Sequence, residues 1–243
     1  MTYGSHMDGR ASFLGTLTAG TRTALEQLGT RRNYVAKEVL IEEGDLSRDL
    51  VLLLKGTVKV TRSLDSVGVS LVDIRITGDV VGEIAAMDSG PRSATVTACS
   101  DVTAILIAWN DLLPFLQGNC ETSMALNQVL VQRLRRSNRL RLEFGTHTVL
   151  VRLARVLVEL ADSYGQPCRA EDEVRIDVGL TQQEFADLTG SREDTVHKAL
   201  ARLRKAKLIT TGGRQTHIIR MSTLRCTARS GCLPTDGTCH CPA

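Results

Sequence analysis

The sequence predicts an α+β chain: a small antiparallel β-domain, a long helix, and a C-terminal pair of short helices closed by a β-hairpin. Three observations carry this expectation. Between residues 33 and 109, short β-branched runs alternate with Gly and Asp turns. From about Asp111 to Phe144 the pattern turns helical, with Leu126, Leu130, Leu134, Ser137 and Phe144 near a four-three repeat. From Thr181 onward, a capping box, a glycine turn, a basic helix and a Gly-Gly hairpin follow in that order.

Taken in order, Leu17, Leu25 and Leu28 mark a short helix over residues 18–30. The β-runs are Val39-Leu40-Ile41, Leu50 to Leu54, Thr57 to Arg62, Val69 to Ile76, Ala94 to Ala98 and Val102 to Ala108. Their close spacing reads as a roll or barrel around a pocket. The long helix packs either on its own domain or against a second copy. Its arginines (Arg133, Arg135, Arg136, Arg139 and Arg141) favour the second copy, because a helix buried in its own domain tolerates them poorly. Another amphipathic helix spans Thr146 to Ala161, and a short strand Val174 to Val178. The expected boundaries are 8–118 for the β-domain, 119–145 for the dimerisation helix, 146–221 for the C-terminal domain and 222–243 for a disordered, Cys-containing tail.

The chain's 243 residues suit one or two domains with a real core, and 42% hydrophobic with 23% charged residues is ordinary globular composition. A net charge of +3 is mild, so charge distribution decides more than its sum. No apolar run approaches the roughly 20 residues of a membrane span, so no membrane partner is expected. No signal peptide is visible, and a cytoplasmic location with reduced Cys99, Cys120 and Cys168 is expected. Gly4-Ser5-His6-Met7 reads as a cloning scar, so residues 1–6 are set aside as a tag remnant.

Two stretches carry chemistry. Gly82-Glu83-Ile84-Ala85 is followed by Gly90-Pro91-Arg92-Ser93-Ala94. A glycine permits close backbone approach, and the first amides of a short helix offer donors to an anion. Arg92 supplies a fork for phosphate, and Glu83 an acceptor for a ribose hydroxyl. A 3′,5′-cyclic nucleotide satisfies both. The plain alternative is that Glu83 and Arg92 simply pair with each other.

The second stretch begins at Thr181-Gln182-Gln183-Glu184, where Thr181 caps and Glu184 reaches back. Gly190 takes a left-handed turn, and a second helix over 192–205 turns Val196, Leu200 and Leu203 inward. Arg192, Glu193, Asp194, His197, Lys198 and Arg202 remain outward. With Arg204, Lys205, Lys207, Arg214 and Arg220 this end is basic, the footprint of a surface for the phosphate backbone of double-stranded DNA.

These motifs resemble the CRP/FNR family of bacterial transcription regulators, over residues 33–221. Gly44, Gly56 and Gly78-Asp79 are similar to the family's barrel turns, and Gly82 to Ala85 with Arg92 to Ala94 to its phosphate-binding cassette. Thr181-Gln182-Gln183, Gly190, Thr195-Val196 and Lys198-Ala199-Leu200 are similar to its helix-turn-helix. The resemblance implies a cyclic-nucleotide-binding β-roll of jelly-roll kind, a long dimerisation helix and a winged helix-turn-helix. It implies cAMP as effector, with cGMP left open. Glu83 would hold the ribose, Arg92 and Ser93 the phosphate, and Arg133, Ser137 and Asn138 would approach the nucleotide, one contact coming from the partner of a homodimer. A palindromic operator is implied, and contact with RNA polymerase near 162–174. Ser191-Arg192-Glu193 is followed here by Asp194, which puts Glu193, Asp194 and Lys198 at the base-reading positions. An arginine that would grip guanine is thereby lost at the first of them.

Cys226, Cys232, Cys239, Cys241 and His240 lie in the tail at spacings unlike zinc-finger pairs. No metal site is assigned. A redox or metal sensor on the same scaffold, or a nucleotide-independent member, remains the alternative. No P-loop, H-E-x-x-H or G-x-S-x-G is present, so no enzyme and no catalytic residue is expected.

Overall fold

The structure, a computed structural model, describes residues 12–64, 68–168, 170–213 and 215–233. They form two compact units that divide at Arg135/Arg136.

The first unit opens with a single 3-10 turn at Leu14–Thr16 and helix α1 (Ala19–Gln27). Eight strands follow: β1 (Thr30–Tyr34), β2 (Val39–Ile41), β3 (Leu50–Lys55), β4 (Thr57–Leu64), β5 (Gly68–Ile76), β6 (Val80–Val81), β7 (Thr95–Ala98) and β8 (Val102–Ile107). Helix α2 (Glu83–Asp88) interrupts them, and α3 (Trp109–Gly118) and α4 (Cys120–Thr146) close the series. The strands form two antiparallel sheets, ordered β1-β8-β3-β6 and β2-β7-β4-β5. This is the expected β-roll.

Alternation sorts the side chains. Val51, Leu53, Val58, Val81, Val96, Ala98 and Ala104 form an inner cluster. Leu50, Leu52, Ile105 and Ile107 point the other way, into a second cluster with Phe13, Leu25, Leu112, Ala125 and Leu126. Helices α1, α3 and the start of α4 therefore cover the outer face of one sheet.

Glu121 fixes α1 to α4. Its carboxylate accepts the Thr18 amide at 2.5 Å, the Thr18 hydroxyl at 3.1 Å and the Thr21 hydroxyl, so α4 caps the start of α1. The Thr21 and Thr18 bonds hold its pKa below the ordinary 4.5.

The second unit holds the rest of α4 and α5 (Val149–Tyr164), then β9 (Gly165–Pro167), β10 (Val174–Ile176), α6 (Gln182–Thr189), α7 (Glu193–Lys205), β11 (Ile209–Gly212), β12 (Gln215–Ile218) and α8 (Met221–Ser230). The strands form one sheet, β11-β12-β10-β9. The last part of α4 is tied to α5 by Arg136 to Glu159 at 2.5 Å and Arg155 to Glu143 at 2.8 Å.

Three expectations are corrected. Residues 222–230 are not a disordered tail: they belong to α8, whose Met221, Leu224, Thr227 and Ala228 are buried, with α5 as its neighbour. Met221, Leu224 and Ala228, among mostly polar residues, make too sparse an apolar stripe to announce a helix. Cys239, His240 and Cys241 lie outside the described residues. Gly165 to Pro167, expected only to end a helix, adds an edge strand to β10. On α4, Leu126 is core in its own unit and not seam, while Phe144 is exposed with the Arg152 guanidinium over its ring. The exposed apolar residues of α4 include Met124, Val131, Leu134 and Leu142.

A depressed carboxylate pKa stabilises the fold above the ordinary value and stops doing so as pH falls through the lowered one. Glu121→Ala is therefore expected to lower Tm at pH 7. The gap from wild type should narrow as pH drops below 4.5 in a calorimetric series. A gap independent of pH would contradict this role.

Candidate functional site

In the first unit the strand β6 delivers the chain to Gly82, whose φ of +82° lies in the left-handed region and caps α2. A Cβ there would stand 2.5 Å from Arg92 Nη1 and 2.9 Å from the Asp49 carbonyl oxygen. Glycine is thus required twice, by its backbone and by its neighbours. Ser89, at φ 60°, ends α2, and the chain turns through Gly90 to Arg92.

Arg92 is buried at 3% exposure. Its Nη1 donates to the Gly82 carbonyl at 2.9 Å, Nη2 to the Asp49 carbonyl at 2.8 Å and Nε to the Ser47 hydroxyl at 3.1 Å. Its backbone also pairs with loop 44–45, the Arg92 amide donating to the Asp45 carbonyl at 2.7 Å and the Gly44 amide to the Arg92 carbonyl at 2.9 Å. Burial draws the Arg92 pKa down, and Asp49, Asp45 and Glu83 oppose that. Ser93 is exposed beside it, Ile84 is exposed, and Ala85 is buried.

Glu83 is buried at 4% exposure and forms an ion pair with Arg133 of α4. Arg133 Nη2 donates to the Val80 carbonyl at 2.7 Å. Burial lowers the Arg133 pKa first, the nearby Arg75 cation second, and Glu83 and Asp79 counter both. Glu83 and Arg92 do not pair directly: Glu83 pairs with Arg133, and Arg92 donates to the Gly82 carbonyl. Of the expected ligand contacts, the fold brings together Gly82, Glu83, Ala85, Arg92, Ser93, Ala94 and Arg133. Ser137 and Asn138 are exposed and fall in the second unit.

Ser47, Asp49 and Asp45 were missed. They lie in an irregular loop with no ligand-binding motif, where the sequence shows only the Glu43-Gly44-Asp45 turn. Asp73 and Arg75 were missed too, because a charged pair two residues apart on a strand reads as solvent-facing.

In the second unit the capping box forms as expected. The Glu184 amide donates to Thr181 Oγ1 at 3.2 Å and the Thr181 amide to Glu184 Oε2 at 2.8 Å. Gly190 ends α6 at φ +55°. Helix α7 begins at Glu193 with Arg192 as its cap residue. Val196, Ala199, Leu200 and Leu203 are buried, whereas Arg192, Glu193, Asp194, His197, Lys198 and Arg202 are exposed. Acidic residues at the start and Arg202, Arg204 and Lys205 at the end suit the helix dipole. Gln182 bridges to α7 through its Oε1, 3.0 Å from His197 Nδ1, and Gln183 donates to Asp187 Oδ1 at 2.9 Å. The hairpin β11–β12 pairs Thr211 with Thr216 and Gly212 with Gln215. Arg214, expected in the wing, lies outside the described residues.

A β-roll with this cassette, followed by a winged helix-turn-helix, is an architecture found among transcription regulators. Residues 31–119 match the cyclic nucleotide-binding domain family and residues 151–227 the Crp-like helix-turn-helix domain. The chain is 32% identical over 159 residues to a CRP-like cAMP-activated global transcriptional regulator of Mycobacterium tuberculosis, covering 65% of this chain and 70% of the relative. A CRP-family transcriptional regulator from Thermus thermophilus superposes with TM-score 0.67 at 24% identity, covering 84% of this chain and 98% of that one. The c-di-GMP responsive global regulator CLP of Xanthomonas campestris gives 0.69 at 20% identity, covering 83% and 99%. This chain belongs to the CRP/FNR family of transcription regulators.

Gly82→Ala should cost about 1–2 kcal/mol in backbone strain alone. Differential scanning calorimetry should show the first unit melting several degrees lower. An unchanged Tm would show that Arg92 and Asp49 give way freely.

Proposed function

We propose that this protein binds operator DNA under the control of a 3′,5′-cyclic nucleotide seated between Glu83 and Arg92. The observation that carries the reading is the separation of the two buried charges on either side of a left-handed Gly82. A buried charge without a ligand role is usually neutralised by the nearest opposite charge. Here Arg92 is instead aligned by Ser47 and two carbonyls, with an exposed hydroxyl next to it on Ser93. A guanidinium has five N–H donors, so Arg92 can keep these bonds and still meet a phosphate oxygen.

In this reading Arg92 and Ser93 hold the cyclic phosphate, and Glu83 accepts the ribose 2′-hydroxyl. Arg133 shares Glu83 with that hydroxyl, so binding changes what α4 is bonded to. Ser137 and Asn138 are left to meet the ligand of the partner subunit, across a homodimer formed along the exposed stripe of Met124, Val131, Leu134 and Leu142. A dimer of helix-turn-helices reads a palindromic operator. Glu193, Asp194 and Lys198 face the base edges, while Thr181, Gln182, Gln183, Arg192, His197 and Arg202 serve phosphates and flanking contacts. The names of the relatives support cAMP; the ribose and phosphate contacts serve cGMP equally. RNA polymerase remains a candidate partner.

Calorimetric titration of both nucleotides tests the effector site. Arg92→Lys keeps the charge but loses the fork, and affinity should fall about tenfold or more. Equal affinity would show that the phosphate is elsewhere. For DNA, Lys198→Ala should cost about 1–3 kcal/mol on a selected operator and relax one base position. Unaltered binding in a gel shift would remove Lys198 from the interface.

A further inference from the structure

The cassette deals with ribose and phosphate; what meets the base is written deeper in the roll. In the β4–β5 ladder, Val58 stands opposite Arg75 and Val60 opposite Asp73. Directly opposed residues of an antiparallel pair share a face. Val58 belongs to the inner apolar cluster with Val81 and Val96, and Val60 packs against it. Arg75 and Asp73 therefore point into the same interior, and both are buried, at 4% and 9% exposure.

The pair is well ordered. Arg75 Nη1 lies 2.6 Å from Asp73 Oδ2 and donates to the Ile74 carbonyl at 2.8 Å. Asp73 Oδ1 accepts the Ile74 amide at 2.8 Å. Arg75 is also near enough to Arg133 for the two cations to oppose each other, and Arg133 is the partner of Glu83. Asp73, Arg75, Arg133 and Glu83 thus form one run of buried charge that ends at the cassette. Arg133 is accounted for by Glu83 and Arg75 by Asp73, but a roll that merely stacked an apolar base face would need no Asp73–Arg75 pair in its interior.

The chemistry of the bases decides what this run suits. Guanine presents two adjacent acceptors, O6 and N7, which match the fork of a guanidinium. Adenine puts an amino donor where O6 would be. A donor against a donor leaves both buried groups unsatisfied, and sites built on such pairing discriminate strongly. We propose that Arg75, held in place by Asp73, reads the base of the bound nucleotide and makes cyclic GMP the preferred effector over cyclic AMP. Arg75 is the specificity-determining residue and Asp73 a positioning residue. The inference rests on the proposed cyclic-nucleotide site and fixes the base that site takes.

The test is calorimetric titration of cAMP and of cGMP into the full-length protein. Wild type, Arg75→Met and the double variant Asp73→Asn/Arg75→Met are compared, with thermal melts to confirm folding. The double variant leaves no buried carboxylate unpaired, so it serves where the single variant fails to fold. Wild type is expected to bind cGMP about tenfold or more tightly than cAMP. The folded variants should lose that preference through weaker cGMP binding, with cAMP affinity held within about threefold. A wild type that prefers cAMP, or a folded variant that keeps the cGMP preference, overturns the inference and leaves the cyclic-nucleotide reading standing. A wild type that binds neither nucleotide overturns both.

Discussion

The ion pair between Glu83 and Arg133 is the constraint on which the first unit of this molecule depends. Glu83 opens α2 inside the roll, where an unpaired carboxylate is expensive. Arg133 answers it from a different element, the long helix α4, and also holds the Val80 carbonyl that leads into Gly82. Removing one partner of such a pair costs about 3–5 kcal/mol, because the other is left buried and charged. The cassette is therefore placed by a helix some fifty residues further along the chain, not by its own loop alone.

That arrangement gives α4 several duties. Its first turns supply core: Ala125 and Leu126 pack with Leu112 and Ile107, and Glu121 caps α1. Its middle carries Arg133. Its last turns belong to the second unit through Arg136 and Glu143, which pair with Glu159 and Arg155 of α5. A continuous helix of 27 residues is about 40 Å long. In the proposed function, a ligand hydroxyl at Glu83 would act first on Arg133, a side chain of that helix. The proposed coupling needs nothing more than a ligand hydroxyl and Arg133 sharing one carboxylate.

Much of this was legible in the sequence, for identifiable reasons. The β-roll showed because its strands are short, β-branched and punctuated by glycines that the backbone needs, Gly82 above all. The helix-turn-helix showed because a capping box and a left-handed Gly190 are local features, and both form as read. What stayed hidden was non-local. Nothing near Arg92 in sequence says that Ser47 and Asp49 will hold its guanidinium, since those contacts span more than forty residues. The burial of Asp73 and Arg75 depends on strand register, and the β4–β5 ladder carries a bulge that no composition rule announces. The arginines of α4 were read as polar interruptions of a dimer seam. Three of them, Arg133, Arg136 and Arg139, pair with carboxylates within their own units. The apolar face of α8 is carried by Met221, Leu224 and Ala228 among mostly polar residues, too sparse a stripe to announce a helix.

In the proposed function the cassette and the helix-turn-helix are two ends of one linked equilibrium. Linkage is reciprocal: if nucleotide raises affinity for DNA by some factor, bound DNA raises affinity for nucleotide by the same factor. The direct measurement is nucleotide affinity of the full-length protein, free and saturated with a selected operator duplex. A ratio of about five- to 150-fold is expected, equal to the ratio of operator affinities with and without nucleotide. Identical nucleotide affinity in the two states would contradict it.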